Sequence, residues 1–133
     1  MYRDEVPVSL ETIGIDARGA YRTQKMEERK SPLGEYIHVY DQSFGGEETG
    51  LEYLSYSLFY SPYSAIRSIV ENEIFGEAAI LDNGLSKDLG VESVEISNVT
   101  GKFLIKGKDS LLTISSSKDL SEKELTILSS LIK

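Results

Sequence analysis

Residues Leu51–Gly76 read LEYLSYSLFYSPYSAIRSIVENEIFG, a long strand that turns at Ser61-Pro62 into a helix. Leu51, Tyr53, Ser55, Ser57 and Phe59 alternate with Leu54, Tyr56, Leu58 and Tyr60, and successive side chains of a strand point to opposite faces. Both sets carry large apolar bodies, which predicts a strand inside a sheet rather than at its edge. Ser61 suits a cap and Pro62 a first helical position, where the missing N–H has no helical partner. Ala65, Ile66, Ile69, Val70 and Ile74 form one apolar stripe, and Gly76 stands where a left-handed cap ends a helix.

Working outward, Glu35–Phe44 (EYIHVYDQSF) is a second strand, with Tyr36, His38 and Tyr40 on one face and Ile37 and Val39 on the other. The loop Gly45–Gly50 makes the two an antiparallel hairpin. Ala20–Lys30 reads as a further strand paired to it, and Glu5–Ile15 as a short edge strand that tolerates Pro7. Beyond the helix, Glu77–Leu81 is a short strand and Asp82–Gly90 a polar loop. Val91–Asn98, Lys102–Lys106 and Ser110–Ser116 make a meander. Ser121 and Glu124 form a capping box, with Leu120 and Leu125 as its staple and Leu125, Leu128, Leu131 and Ile132 as the buried stripe. The order of elements predicts a single α+β domain over residues 1–133. Its antiparallel, curved sheet has about six or seven strands, with two helices (about 62–75 and 122–132) packed on one face.

The chain has 133 residues, 40% of them apolar and 27% charged, as in a folded domain. It has no apolar run near the about 20 residues that cross a bilayer, and charges occupy the amino terminus where a signal peptide is apolar. It has no cysteine, which rules out disulfides and thiolate chemistry. The net charge of −8 is uneven: residues 31–100 hold twelve acids against Arg67 and Lys87. An acidic middle argues against nucleic-acid binding, which needs clustered cations.

His38 is the only histidine, so any Ser-His-Asp arrangement or histidine base must use it, with Asp41 or Glu35 as sequence neighbours. A half-exposed strand face is the commoner setting for such a residue. Eight of the twelve aromatics lie between Tyr36 and Tyr63. Tyr36, His38, Tyr40, Tyr53, Tyr56 and Tyr60 are therefore the candidate ligand-binding residues, tyrosine offering an apolar body and a polar tip; cross-strand packing is their ordinary alternative role. Asp82, Asn83, Asp88, Glu92 and Glu95 lack the spacing of a calcium loop, and Gly45–Gly50 lacks the lysine of a phosphate cradle. Asn98-Val99-Thr100 fits a glycosylation sequon in a tight turn. No catalytic constellation, metal set or cofactor motif emerges.

The run VEISNVTGKFLIKGKDSLLTISSSKDLSEKELTILSSLIK (94–133) resembles the closing segment of a domain of unknown function from extracytoplasmic parts of prokaryotic anti-sigma-like membrane proteins, distantly similar to the lipoprotein-carrier fold. The resemblance rests on the strand ending near Gly101, the hairpin through Gly107, the strand Leu111–Ile114, and Leu120-Ser121 with Glu124-Leu125. The tryptophan usual in that family's last hairpin is absent. The resemblance implies a curved antiparallel sheet holding helices, an extracytoplasmic location and a binding or sensing role, and it transfers no site residues. The composition alone equally suits a cytoplasmic protein.

Three functions are thus open: a non-catalytic binding or sensor domain, its partner a small ligand or a protein; a small acid–base enzyme using His38 in a tyrosine-lined pocket; or a protein-interaction module. Whether the helices cover the face of Tyr36, His38 and Tyr40 separates them.

Overall fold

Alternation of period two carries three long strands, β1 (Tyr21–Ser31), β2 (Gly34–Phe44) and β3 (Leu51–Tyr60). The computed structural model describes residues 7–14, 21–44, 50–75, 79–81, 83–97 and 102–132. The chain then forms α1 (Ser64–Phe75), β4 (Ala79–Leu81), α2 (Asn83–Leu89), β5 (Ser93–Ser97), β6 (Lys102–Lys106), β7 (Ser110–Ser116) and α3 (Glu122–Ser129). A 3-10 turn, Ser130–Ile132, continues α3. The strands make one sheet in the order β1-β2-β3-β7-β6-β5-β4, every neighbouring pair antiparallel. The chain meanders inward from one edge through β3, crosses to the far edge with α1, and meanders back until β7 docks on β3. Strand β3 therefore lies inside the sheet, flanked by β2 and β7.

Register divides the side chains into two faces. Met26, Val39, Tyr56 and Ile114 lie in one cross-strand row, and all four are buried in the main core. Leu10 and Ile13 before the sheet, Leu89 of α2, and Leu125 and Leu128 of α3 pack into that same core. Ser121 accepts from the Glu124 N–H at 3.3 Å, and the Glu124 carboxylate accepts from the Ser121 N–H at 2.9 Å. This capping box is the one the sequence predicts. It satisfies two N–H groups that a helix start otherwise leaves without partners.

Leu104 and Leu111 are also buried yet stand outside that core cluster, because register turns them to the opposite face. There α1 lies over them: Glu71 pairs with Lys106 at 2.8 Å, and Lys106 shares the face of Leu104 on β6. The two expected helices thus lie on opposite faces, not on one. The N-terminal segment, α2 and α3 already fill the core face. Helix α1 has a thin stripe, with Ile66 and Val70 half-buried, Ala65 exposed and Ile69 60% exposed. It contributes no residue to the core cluster among those described. It also starts at Ser64, two residues later than its sequence suggests, because the Ser61 hydroxyl accepts from Tyr63 N–H at 3.2 Å and donates to Leu33 at 2.6 Å.

Two further expectations are corrected. Val8–Gly14 is no edge strand but a coil ending in a 3-10 turn, Glu11–Ile13. Its backbone finds side-chain partners in place of a neighbouring strand: Tyr56 takes both polar groups of Val8, and Asp41 accepts from Leu10 N–H. The supposed loop after Asp82 is α2, since Leu85 and Leu89 face the core one helical turn apart. It closes in a Schellman turn: Gly90, at φ +70°, bonds Lys87, and Val91 bonds Ser86. The Gly45–Glu48 loop, Gly76 and the Asn98–Thr100 sequon lie outside the described residues.

Edge strand β1 carries Lys25, Glu27, Glu28, Arg29 and Lys30, all exposed. Charges of both signs discourage another chain from adding to that edge. At its turn into β2, a side-chain carbon on Gly34 would meet the Tyr60 carbonyl at 2.4 Å, so only glycine fits there.

Candidate functional site

Because α1 covers only the β6–β7 side, no described element lies over the same face of β1–β3. Tyr36, His38, Tyr40 and Tyr53 are half-buried on it. Cross-strand rows run Arg29–Tyr36–Phe59 and Glu27–His38–Ser57–Thr113. Between this floor and the flank of α1 opens a cavity of about 500 Å³. Tyr36, Ser57, Phe59 and Thr113 line its floor, Ile69 and Val70 its helical wall, and Arg29 its outer end. That volume is typical of small-molecule sites.

Ser57 organises the polar floor. Its hydroxyl lies 2.7 Å from His38 Nδ1 and 3.3 Å from the Tyr36 hydroxyl. A hydroxyl has one donor and two acceptor sites, so Ser57 can serve both neighbours at once. The Tyr36 and His38 rings are parallel, 2° between planes and 6.4 Å between centroids. The Tyr40 hydroxyl is engaged by Gln42.

The six predicted ligand residues do not converge. Tyr36 lines the cavity and His38 backs it through Ser57, with Tyr40 and Tyr53 farther along the open face. Tyr56 and Tyr60 point to the opposite face. Tyr56 is buried in the core, where loss of water pushes its hydroxyl up to about 12. Tyr60 lines a smaller hollow of about 210 Å³ with Leu131 and Ile132.

The carboxylates nearest His38 in sequence, Glu35 and Asp41, sit an odd number of residues away and so face the core side. Asp41 is fully buried and belongs to a structural network. Arg22 donates to both its oxygens, at 2.9 and 2.7 Å, Leu10 N–H donates at 2.8 Å, and Gln24 at 3.3 Å. Arg22 also binds Glu11; that hydrogen bond holds the Glu11 carboxyl below its ordinary range, and the guanidinium is raised in turn. A charge this deep is tolerated because it is paired and hydrogen-bonded throughout.

On the other flank of α1 a polar hollow of about 340 Å³ holds the Glu71–Lys106 pair, with Arg67 and Glu92. Burial raises the neighbouring Glu95 carboxyl; Lys106 pulls it down and Glu71 pushes it up. Among the described residues, no three His, Cys, Asp or Glu side chains stand as a metal-binding group, and no helix is long and apolar enough to cross a membrane.

Sequence reasoning finds Tyr36 and His38 but misses Arg29, Thr113, Ile69 and Val70 as wall residues. The period-two pattern does place Ser57 and Phe59 on one face. Which strand then lies beside them is a matter of long-range register, which no local pattern states. Comparison with protein-family models, with curated proteins and with solved structures finds no match for this chain.

Proposed function

We propose that this chain is a non-catalytic ligand-binding or sensor domain, and that the cavity between α1 and the open half of the sheet is its binding site. The observation that carries the reading is the placement of α1. Apolar side chains at Ile69 and Val70 overhang a floor of aromatic rings and hydroxyls, in a concavity of about 500 Å³ that the core does not fill. Few, convergent polar groups among apolar walls are what small-molecule sites use to fix orientation. The resemblance of residues 94–133 to extracytoplasmic sensing domains supports the same role, as would curvature of the sheet around α1. The test is a thermal-shift screen on the native protein and on Val70→Trp, whose indole projects from the helical wall and obstructs the cavity. A ligand should raise the native melting temperature with concentration and leave the variant unmoved. Equal shifts in both would place binding elsewhere and refute the reading.

A second reading, an acid–base enzyme, draws on the 2.7 Å approach of His38 Nδ1 to Ser57 in the cavity floor. It requires a carboxylate to orient the imidazole, and the residue across from His38 in register is Glu27. Turnover lost in both His38→Gln and Glu27→Gln would favour this reading over simple binding.

A further inference from the structure

Resting on the binding role just proposed, we infer that the cavity takes a small aromatic monoanion, its carboxylate held by Arg29 and its ring lodged between Phe59 and the α1 wall. The charge argument comes first. The chain is strongly acidic, −8 overall, yet among the described residues the cavity lining contains an arginine and no acidic side chain. The Arg29 side chain is 78% exposed, and its ion pair with Glu27 is stretched to 4.0 Å. So long an exposed pair holds the guanidinium weakly, whereas a ligand carboxylate can engage its fork in two parallel hydrogen bonds.

The walls argue for a ring rather than a sugar or an acyl chain. Phe59, Ile69 and Val70 offer apolar surface, and Ile69 is left 60% exposed without a ligand. A fully hydroxylated ligand would waste that surface. A saturated chain would instead offer nothing to the polar floor, where the Tyr36 and Ser57 hydroxyls bond each other and His38 yet keep capacity for a further hydrogen bond. A flat body with one polar substituent satisfies both. From Thr113 on β7 to Arg29 on β1 is three strand spacings and two residues along the strand, about 16 Å between backbones, which a fused ring and the long Arg29 side chain span together.

Arg29 also has a plainer role, as one of the charges guarding an edge strand, and the test separates the two. Four probes are titrated by NMR into the full chain: 6-hydroxy-2-naphthoate, 2-naphthoate, the neutral naphthalene-2-carboxamide, and decanoate. The naphthoates should perturb Tyr36, Ser57 and Val70 amides and bind about tenfold or more tightly than the carboxamide, the effect of one charge-assisted contact. Arg29→Gln should erase that preference while leaving carboxamide binding unchanged. Carboxamide binding as tight as naphthoate would overturn the anion assignment, decanoate binding tighter than either would overturn the aromatic one, and both outcomes leave the cavity's binding role intact. Absence of response at these amides with all four probes would overturn the assignment too, and the Val70→Trp screen then decides the broader role.

Discussion

The Tyr56 hydroxyl accepts from the Val8 N–H at 2.8 Å and donates to the Val8 carbonyl at 2.9 Å, closing both polar groups of one residue 48 positions away. The N-terminal segment is thereby fixed to β3, inside the sheet, without joining it. Tyr56→Phe leaves a buried donor and acceptor without partners, so it should destabilise the fold by about 1–3 kcal/mol. Urea unfolding at neutral pH measures this, and a loss below about 0.5 kcal/mol would show that water replaces the phenol.

Tyr56 also sets an alkaline limit. Its ionisation is pushed from an ordinary 10.0 up to about 12 in the folded state, so the folded protein holds its proton more tightly than the unfolded chain. That contribution is complete below pH 10 and is lost as pH rises to about 12, with a slope near 1.4 kcal/mol per pH unit. Tyr56→Phe should abolish this slope, as read from unfolding at stepped pH.

Acid works through other residues with the opposite sign. The Arg22 hydrogen bond lowers Glu11. For Glu124, burial raises the carboxyl, but the Ser121 N–H and Lys118 outweigh it and the net direction is down. Both contributions are present above the ordinary carboxylate range and vanish as pH falls through the lowered folded values, below about pH 4. The variant Glu124→Gln should show a shallower fall in stability over that window.

The Asp41–Arg22 pair should be far more sensitive than any exposed pair. Asp41→Ala removes one of the two carboxylates that hold the Arg22 guanidinium and leaves the buried Leu10 N–H without its acceptor. We expect a loss of about 1–3 kcal/mol, with Val8 and Leu10 amides losing hydrogen-exchange protection first. Arg29→Ala on the exposed β1 edge should change stability by less than about 0.5 kcal/mol.

The two helices should respond unequally to truncation. Leu128 of α3 is fully buried, so Leu128→Ala should cost about 2–5 kcal/mol. Ile69 of α1 is 60% exposed, and Ile69→Ala should lie within about 0.5 kcal/mol. Comparable losses would mean that α1 is a core element after all.

This inequality also marks what the sequence could and could not reveal. Alternation along Tyr36–Tyr40 and Leu51–Tyr60 states the two faces of the central strands, and Ser121 with Glu124 states the start of α3, since all are local patterns. The stripes of α1 and α3 look equally apolar, and nothing local says that Leu10, Ile13 and Leu89 have already occupied the core face. The N-terminal segment looks like an edge strand for a related reason. Its partners, Asp41 and Tyr56, are distant side chains rather than a neighbouring strand. The same gap hid half the cavity, for Arg29 and Thr113 join Ser57 only through register.

Thiol accessibility tests the open cavity most directly, because the chain has no cysteine of its own. The variants Ser57→Cys, on the cavity floor, and Ser129→Cys, buried in α3, are compared under native conditions with a small thiol reagent. The account predicts that the S57C thiol reacts without unfolding of the protein, while the S129C thiol reacts only through global unfolding. Equal protection at both positions would contradict it, because α1 would then seal the face on which binding is proposed.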